Sequence, residues 1–240
     1  MNNLILIRHG QSIWNLERRF TGWVDVDLTD HGKSEAQYAG QLIKELNIEF
    51  DVYFTSVQMR AINTLEIILN ILNKKNSEIK KAWELYERHY GELTSLNKDE
   101  MMKKHGKKQV HVWRRSFDVP PPSMEKTHPN HPSKYKAYIN IPTDKIPDSE
   151  SLKNTFDRVM PYYEENIKPL LSSNKNILIS AHGNSLRALC KKLLNISNKN
   201  IIDFEIPTGT PLLISFDDNL KVQDYRYLDA KRAKKILFNV

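Results

Sequence analysis

Near the start of the chain, Arg8-His9-Gly10 follows directly on the aliphatic run Leu4-Ile5-Leu6-Ile7. A neutral imidazole is a good nucleophile near pH 7. Its attack on phosphorus gives a phosphoramidate, which is labile enough to pass the phosphoryl group onward. Arg8 offers a permanently charged planar fork suited to phosphate oxygens. Gly10 leaves room for a phosphate to approach the backbone. Late in the chain the pattern recurs: Ile177-Leu178-Ile179-Ser180-Ala181 runs into His182-Gly183. A second cation, Arg60, falls in the first turn of an expected helix. Alone, an Arg-His-Gly tripeptide is a weak signal. Two such histidines at strand ends, with Arg60, point together to phosphoryl transfer.

The elements that must position these groups follow from patterning. The wholly apolar run Leu4–Ile7 reads as a strand buried on both faces, and the largely apolar stretches Phe50–Phe54 and Asn176–Ala181 read as further strands. Thr29 caps a helix that buries Ala36, Ala39, Ile43 and Leu46. Ser56 is expected to cap a second, with Ala61, Leu65, Ile68 and Leu72 on one face. Asn97 starts another, with Glu100 placed as in a capping box. A long helix from Leu152 is expected to kink at Pro161 and Pro169. Asn184 or Ser185 caps the helix after His182, and two strands close the fold near Leu212–Phe216 and Val222–Leu228. The stretch at about 119–147 is proline-rich and reads as an irregular excursion outside the core. Alternating strands and helices predict an α/β three-layer sandwich with a mostly parallel central sheet, formed by one catalytic domain over residues 1–240. Ligands of such sheets bind beyond the carboxyl ends of the strands, where His9, Arg60 and His182 meet.

Composition sets the background. The chain has 240 residues, 40% hydrophobic, with a formal net charge of +7 and one cysteine, Cys190. No run approaches the ~20 apolar residues of a membrane span, and the N-terminus lacks a signal-peptide pattern. A reducing, cytoplasmic location is expected. The positive charge suits nucleic acid or a pocket for small polyanions. His128 and His131 are read as members of a solvated loop rather than a metal site, Cys190 as core, and Trp14 and Trp23 as packing in the phosphate-site loop.

Longer motifs sharpen this. Arg8-His9-Gly10-Gln11-Ser12-Ile13-Trp14-Asn15, Phe20-Thr21-Gly22-Trp23, Thr55-Ser56 with Arg60-Ala61, and Glu87-Arg88-His89-Tyr90-Gly91 stand in order. After them come Leu96-Asn97-Lys98, Trp113-Arg114-Arg115, Glu150-Ser151-Leu152, Ala181-His182-Gly183-Asn184-Ser185-Leu186-Arg187 and Ile206-Pro207-Thr208-Gly209. From about Leu4 to Leu228 the chain resembles the cofactor-dependent phosphoglycerate mutases of the histidine phosphatase superfamily. The resemblance implies a phosphohistidine on His9, Glu87 as general acid/base, and His182 as a stabiliser of the transferring phosphoryl group. It implies phosphate or substrate contacts from Arg8, Gly10, Gln11, Ser12, Asn15, Thr21, Gly22, Arg60, Arg88, His89, Tyr90, Lys98, Arg114, Arg115, Gly183 and Asn184.

The implied reaction interconverts 3-phosphoglycerate and 2-phosphoglycerate, primed by 2,3-bisphosphoglycerate and without a metal. A homodimer is implied, with no nucleic-acid or membrane partner. A bisphosphoglycerate mutase or a histidine-type phosphatase on the same fold is the alternative, and Ser12 with Thr21-Gly22 favours the glycolytic mutase. A nucleic-acid binder that has lost catalysis is a further rival, and the intact catalytic positions argue against it. Two departures stand out: Gln11 where the family usually has Glu, and a short basic tail after Leu228. The tail leads to the expectation of weak closure over the site and some hydrolysis of the phosphoenzyme.

Overall fold

The computed structural model describes residues 2–135 and 138–233. Its strands are β1 (Asn2–Arg8), β2 (Val52–Thr55), β3 (Ile79–Lys81), β4 (Ile177–Ala181), β5 (Pro211–Phe216) and β6 (Val222–Tyr227). Its α-helices are α1 (Ile13–Leu16), α2 (Asp30–Glu45), α3 (Met59–Ile71), α4 (Lys98–His105), α5 (Lys107–Arg115), α6 (Leu152–Tyr162), α7 (Lys168–Ser172) and α8 (Gly183–Leu193). The strands form one sheet in the order β3-β2-β4-β1-β5-β6. β3, β2, β4 and β1 run parallel, while β5 lies antiparallel to β1 and β6 antiparallel to β5.

Continuous apolar runs are needed because the sheet is covered on both faces. Side chains alternate along a strand. Thus Leu4 and Leu6 of β1 pack with Ile177, Ile179, Leu152, Val159 and Leu189, under α6 and α8. Ile5 and Ile7 face the other way, with Ala39, Ile43, Leu65 and Ile68 of α2 and α3. The architecture is the expected α/β three-layer sandwich.

Local detail differs from expectation at the starts of two helices, while the long helix is disturbed at its prolines as expected. Ser56 does not cap α3, which begins at Met59 after Gln58; the Ser56 hydroxyl instead accepts from the Gln58 amide at 3.2 Å. The helix after β4 starts at Gly183, with His182 as its N-cap residue and Ser185 Oγ accepting from the His182 amide. The long helix is interrupted where its prolines stand: α6 holds Pro161, a π-helical turn spans Tyr163–Ile167, and α7 resumes with Pro169. Proline has no amide hydrogen to offer the preceding turn, and widening by one residue lets the chain continue.

The proline-rich stretch is irregular, yet it does reach the core. Tyr138 and Ile141 are buried with Trp23 and Tyr86, and the Tyr138 hydroxyl donates to the Trp23 carbonyl. Nor is His131 solvated: it is 3% exposed and contacts Ser133 Oγ and Asp148 Oδ1. Local composition could not reveal these partners, which come from distant segments. Cys190 and Trp23 are buried as expected.

Candidate active site

The sheet order brings the chemistry together. β4 lies between β2 and β1, with Arg8 level with Ala181 and Thr55 level with Ser180. The residues just beyond three neighbouring parallel strands are therefore His9, His182 and Ser56. The His9 amide donates to the Ala181 carbonyl at 3.0 Å, and the two imidazole rings lie 5.0 Å apart. Ser56 Oγ contacts His182 Nε2 at 2.7 Å. His9 Nδ1 lies 2.7 Å from the Gly10 carbonyl. A carbonyl can only accept, so Nδ1 carries the proton and Nε2 keeps the lone pair. Burial, then Arg60 and Arg8, hold His9 well below the ordinary histidine pKa. Burial and Arg60 do the same to His182.

Arg60 is fully buried at the start of α3, where it serves two ends. Its guanidinium donates to the carbonyls of Gly22 and Val24 at 2.9 Å each, and it also lines the cleft beside His9. Gly22, at φ +55°, adopts a conformation few side chains tolerate, and it turns the Thr21–Val24 loop so that its carbonyl meets Arg60.

Glu87 is buried on the cleft wall. Its Oε1 accepts from the Arg88 amide at 2.8 Å, the Asn184 amide at 3.1 Å and Asn184 Nδ2 at 2.8 Å. Asn184 Nδ2 also reaches the Tyr90 hydroxyl at 3.2 Å. Behind the segment that carries Glu87, Arg158 forms a two-pronged pair with Glu150 at 2.9 and 3.0 Å. The same guanidinium donates to the carbonyl of Glu84 at 2.7 Å and, at longer range, to those of Trp83 and Glu87. Glu150 in turn accepts from the His89 amide at 2.8 Å.

Of the residues named from sequence, Arg8, His9, Asn15, Thr21, Gly22, Arg60, Glu87, Tyr90, Lys98, Arg114, Arg115, Gly183 and Asn184 line one cleft. Arg8 Nε is buried there with no protein partner. Burial, then Arg114 and Arg8, push Lys98 down to about 7. His182 sits against His9 without forming the cleft wall.

Five more expected contacts do not line this cleft, and each has partners within the protein. Gly10 is needed for packing, since a Cβ there would stand 2.1 Å from the Gly32 carbonyl oxygen, and its amide donates to Thr64 Oγ1. Gln11 turns to Thr29, while its amide donates to the buried Glu35 at 2.7 Å. Ser12 is buried and caps α1 through the Asn15 amide. Arg88 is buried, donates to the Arg114 carbonyl at 2.8 Å and lies over the Tyr90 ring. His89 is buried, and its Nδ1 accepts from the Gly91 amide at 3.0 Å; burial and His131 push its pKa down to about 3.

The cleft also contains Arg19, Phe20, Arg187, Glu205 and Ile206, which sequence reading did not single out as contacts. Phe20 and Arg187 lie inside quoted motifs, whereas Glu205 carries no local signal. In the described part of the tail, Arg232 pairs with Glu35; residues 234–240, where closure was expected to be weak, lie outside the described residues. Among the described residues, no group of three or more His, Cys, Asp or Glu is placed to hold a metal, and no helix is long and apolar enough to cross a membrane.

Comparison with known proteins bears on this arrangement. The profile of the histidine phosphatase superfamily (branch 1) matches residues 4–129 and 123–225. A 2,3-bisphosphoglycerate-dependent phosphoglycerate mutase of Pelagibacter ubique (strain HTCC1062) is 54% identical over 99% of both chains. One from Hyphomonas neptunium (strain ATCC 15444) is 52% identical over 98% of both. One from Hydrogenobaculum sp. (strain Y04AAS1) is 48% identical, covering 100% of this chain and 98% of its own. Among solved structures, a mycobacterial glucosyl-3-phosphoglycerate phosphatase with VO3 is similar in fold. It has a TM-score of 0.69 at 18% identity, covering 95% of this chain and 97% of its own.

Proposed function

The chain belongs to the histidine phosphatase superfamily, and on that footing we propose that it interconverts 3-phosphoglycerate and 2-phosphoglycerate through a phosphohistidine on His9. The observation that carries this reading is the environment of one atom. His9 Nε2 retains its lone pair because Nδ1 is held by the Gly10 carbonyl, and His9 lines a cleft of cations shared with Glu87. The relatives that match the whole chain at about half identity carry the same activity in their names.

The unpartnered Arg8 Nε and the surrounding cations suit a ligand with several anionic groups. Arg8, Arg60, Lys98, Arg114 and Arg115 would hold 2,3-bisphosphoglycerate, which supplies the first phosphoryl group to His9. The free hydroxyl of phosphoglycerate then attacks that phosphorus. The P–N bond breaks, a P–O bond forms, and the hydroxyl proton passes to Glu87. After the ligand reorients, Nε2 attacks the other phosphorus. That P–O bond breaks, and Glu87 returns the proton to the departing oxygen. Charge on the transferring oxygens is met by Arg8, Arg60 and His182, set in place before the reaction. Asn184 holds Glu87 in position. A cytoplasmic homodimer belongs to the same reading, and sedimentation velocity tests the dimer.

A mutase assay in EDTA, with and without 2,3-bisphosphoglycerate, tests the reaction. The expected result is primer-stimulated, EDTA-insensitive activity that His9→Ala abolishes. Activity that needs an added metal, or survives His9→Ala, contradicts it. Net release of inorganic phosphate faster than isomerisation would favour the phosphatase alternative.

A further inference from the structure

Two carboxylates stand on the wall of a cleft otherwise rich in cations: Glu87 and Glu205. The proposed reaction uses the first and has no task for the second. Glu205 Oε1 accepts from Arg115 Nη2 at 3.0 Å, with Arg115 only 20% exposed and Glu205 half-exposed. The backbone beneath it is held from two directions. The Tyr227 hydroxyl donates to the Glu205 carbonyl at 3.0 Å, and Arg8 donates to the next carbonyl, that of Ile206, at 3.2 Å. The carboxylate is thus stationed at the cleft by β6 and by a phosphate-site arginine. Burial acts to raise its pKa, but Arg115, Arg8 and Arg114 outweigh this and keep it below the usual carboxylate range. It is therefore charged at neutral pH.

A fixed negative charge in an anion-binding cleft acts in two ways. It engages a donor that a ligand's far anionic group would use, and it repels the ligand in proportion to the ligand's own charge. We propose that Glu205 is a specificity determinant that sets the cleft against its most highly charged ligand. Glu205 holds Arg115 while the cleft is empty and surrenders it to the ligand. It thereby weakens the grip on a doubly phosphorylated ligand more than on a singly phosphorylated one. The consequence is release: a site of this cation density, without the counter-charge, would retain the primer and exclude the substrate. This inference rests on the proposed reaction for its ligands, and its test is one of binding.

Glu205→Gln keeps the size and an acceptor oxygen while removing the charge. Calorimetry on the intact protein at low salt would compare inorganic phosphate, 3-phosphoglycerate and 2,3-bisphosphoglycerate. The expected result is tighter binding of the bisphosphate, on the order of fivefold for one partly exposed pair. The gain is smaller for 3-phosphoglycerate, smallest for phosphate, and shrinks as salt is raised. In an Arg115→Ala background the gain from freeing Arg115 disappears, so the Glu205→Gln effect is reduced. In kinetics, KM for 3-phosphoglycerate falls and excess bisphosphate inhibits at lower concentration. Unchanged or weaker bisphosphate binding in both Glu205→Gln and Glu205→Ser overturns the proposal, as does an equal gain for all three anions. Carrying His9→Ala in each protein of the binding series keeps phosphoryl transfer out of the measurement. A wild-type protein without mutase activity would sink the proposed reaction and still leave the Glu205 effect on polyanion affinity to be judged.

Discussion

The reactivity proposed for His9 depends on its immediate surroundings. The Gly10 carbonyl chooses the tautomer, and burial with two arginines keeps the ring neutral. Lowering the pKa of a histidine extends its neutral form towards acid, so no loss of nucleophile is expected on going from pH 8 down through the ordinary value of 6.5. Rapid-quench measurement of phosphoenzyme formation checks this: an inflection at that value belonging to His9 would contradict it. Lys98 behaves in the opposite sense. Its pKa in the empty cleft lies at about 7, so the free protein loses a cation as pH rises through that point. Anion affinity should therefore weaken on the alkaline side, and ligand binding should take up a proton. Lys98→Arg, whose charge persists, should flatten the rise of KM above pH 7, whatever it does to kcat.

At the scale of elements, the segment of residues 83–89 is held as a unit by the buried Arg158–Glu150 pair. Arg158 donates to carbonyls along it while Glu150 takes the His89 amide. Breaking a buried pair by removing one partner leaves an uncompensated charge and costs about 3–5 kcal/mol. Glu150→Gln should lower stability on that scale in denaturant melts. Arg158→Lys keeps the charge but loses the fork. It should reduce kcat by about tenfold or more with a smaller change in KM, because Glu87 moves relative to the reacting oxygen. Equal changes in kcat and KM would argue that the pair serves stability alone. Little of this could be read from the chain. Glu150 stands in a motif that resembles the family, but Arg158 lies on a helix face like many surface arginines, and the carbonyls it holds belong to residues 83–87, far back along the chain. Strands and helices were legible because alternation and helical spacing are local properties. The Tyr138 anchor and the start of α3 were not, since each depends on contacts between distant segments.

For the whole molecule, the +7 charge is distributed with purpose. Arg8, Arg19, Arg60, Lys98, Arg114, Arg115 and Arg187 share one cleft, and a concave site focuses their field on an arriving anion. Raising ionic strength from about 0.02 M to about 0.5 M, which shortens the screening length severalfold, should raise KM for phosphoglycerate with little change in kcat. A KM indifferent to salt would mean that the cations act only at contact.

The layers of the fold and the kind of chemistry it carries were written in local patterns of the chain. Unbroken aliphatic runs fold stably only when covered on both faces, and a parallel strand that ends in Arg-His-Gly presents those groups at the carboxyl end of the sheet. Long ordered motifs extended this to a family and to most of the residues that line the cleft. Which groups meet depends on how the strands are ordered and packed. Insertion of β4 between β1 and β2 sets the two imidazoles 5.0 Å apart. Packing against Gly32 accounts for Gly10, and burial brings Arg88 to the Arg114 carbonyl. Glu205, silent in the sequence, becomes a charge in the cleft. The reason is common to all of these. Periodicity and residue type are local, whereas protonation, specificity and support depend on neighbours brought from far along the chain.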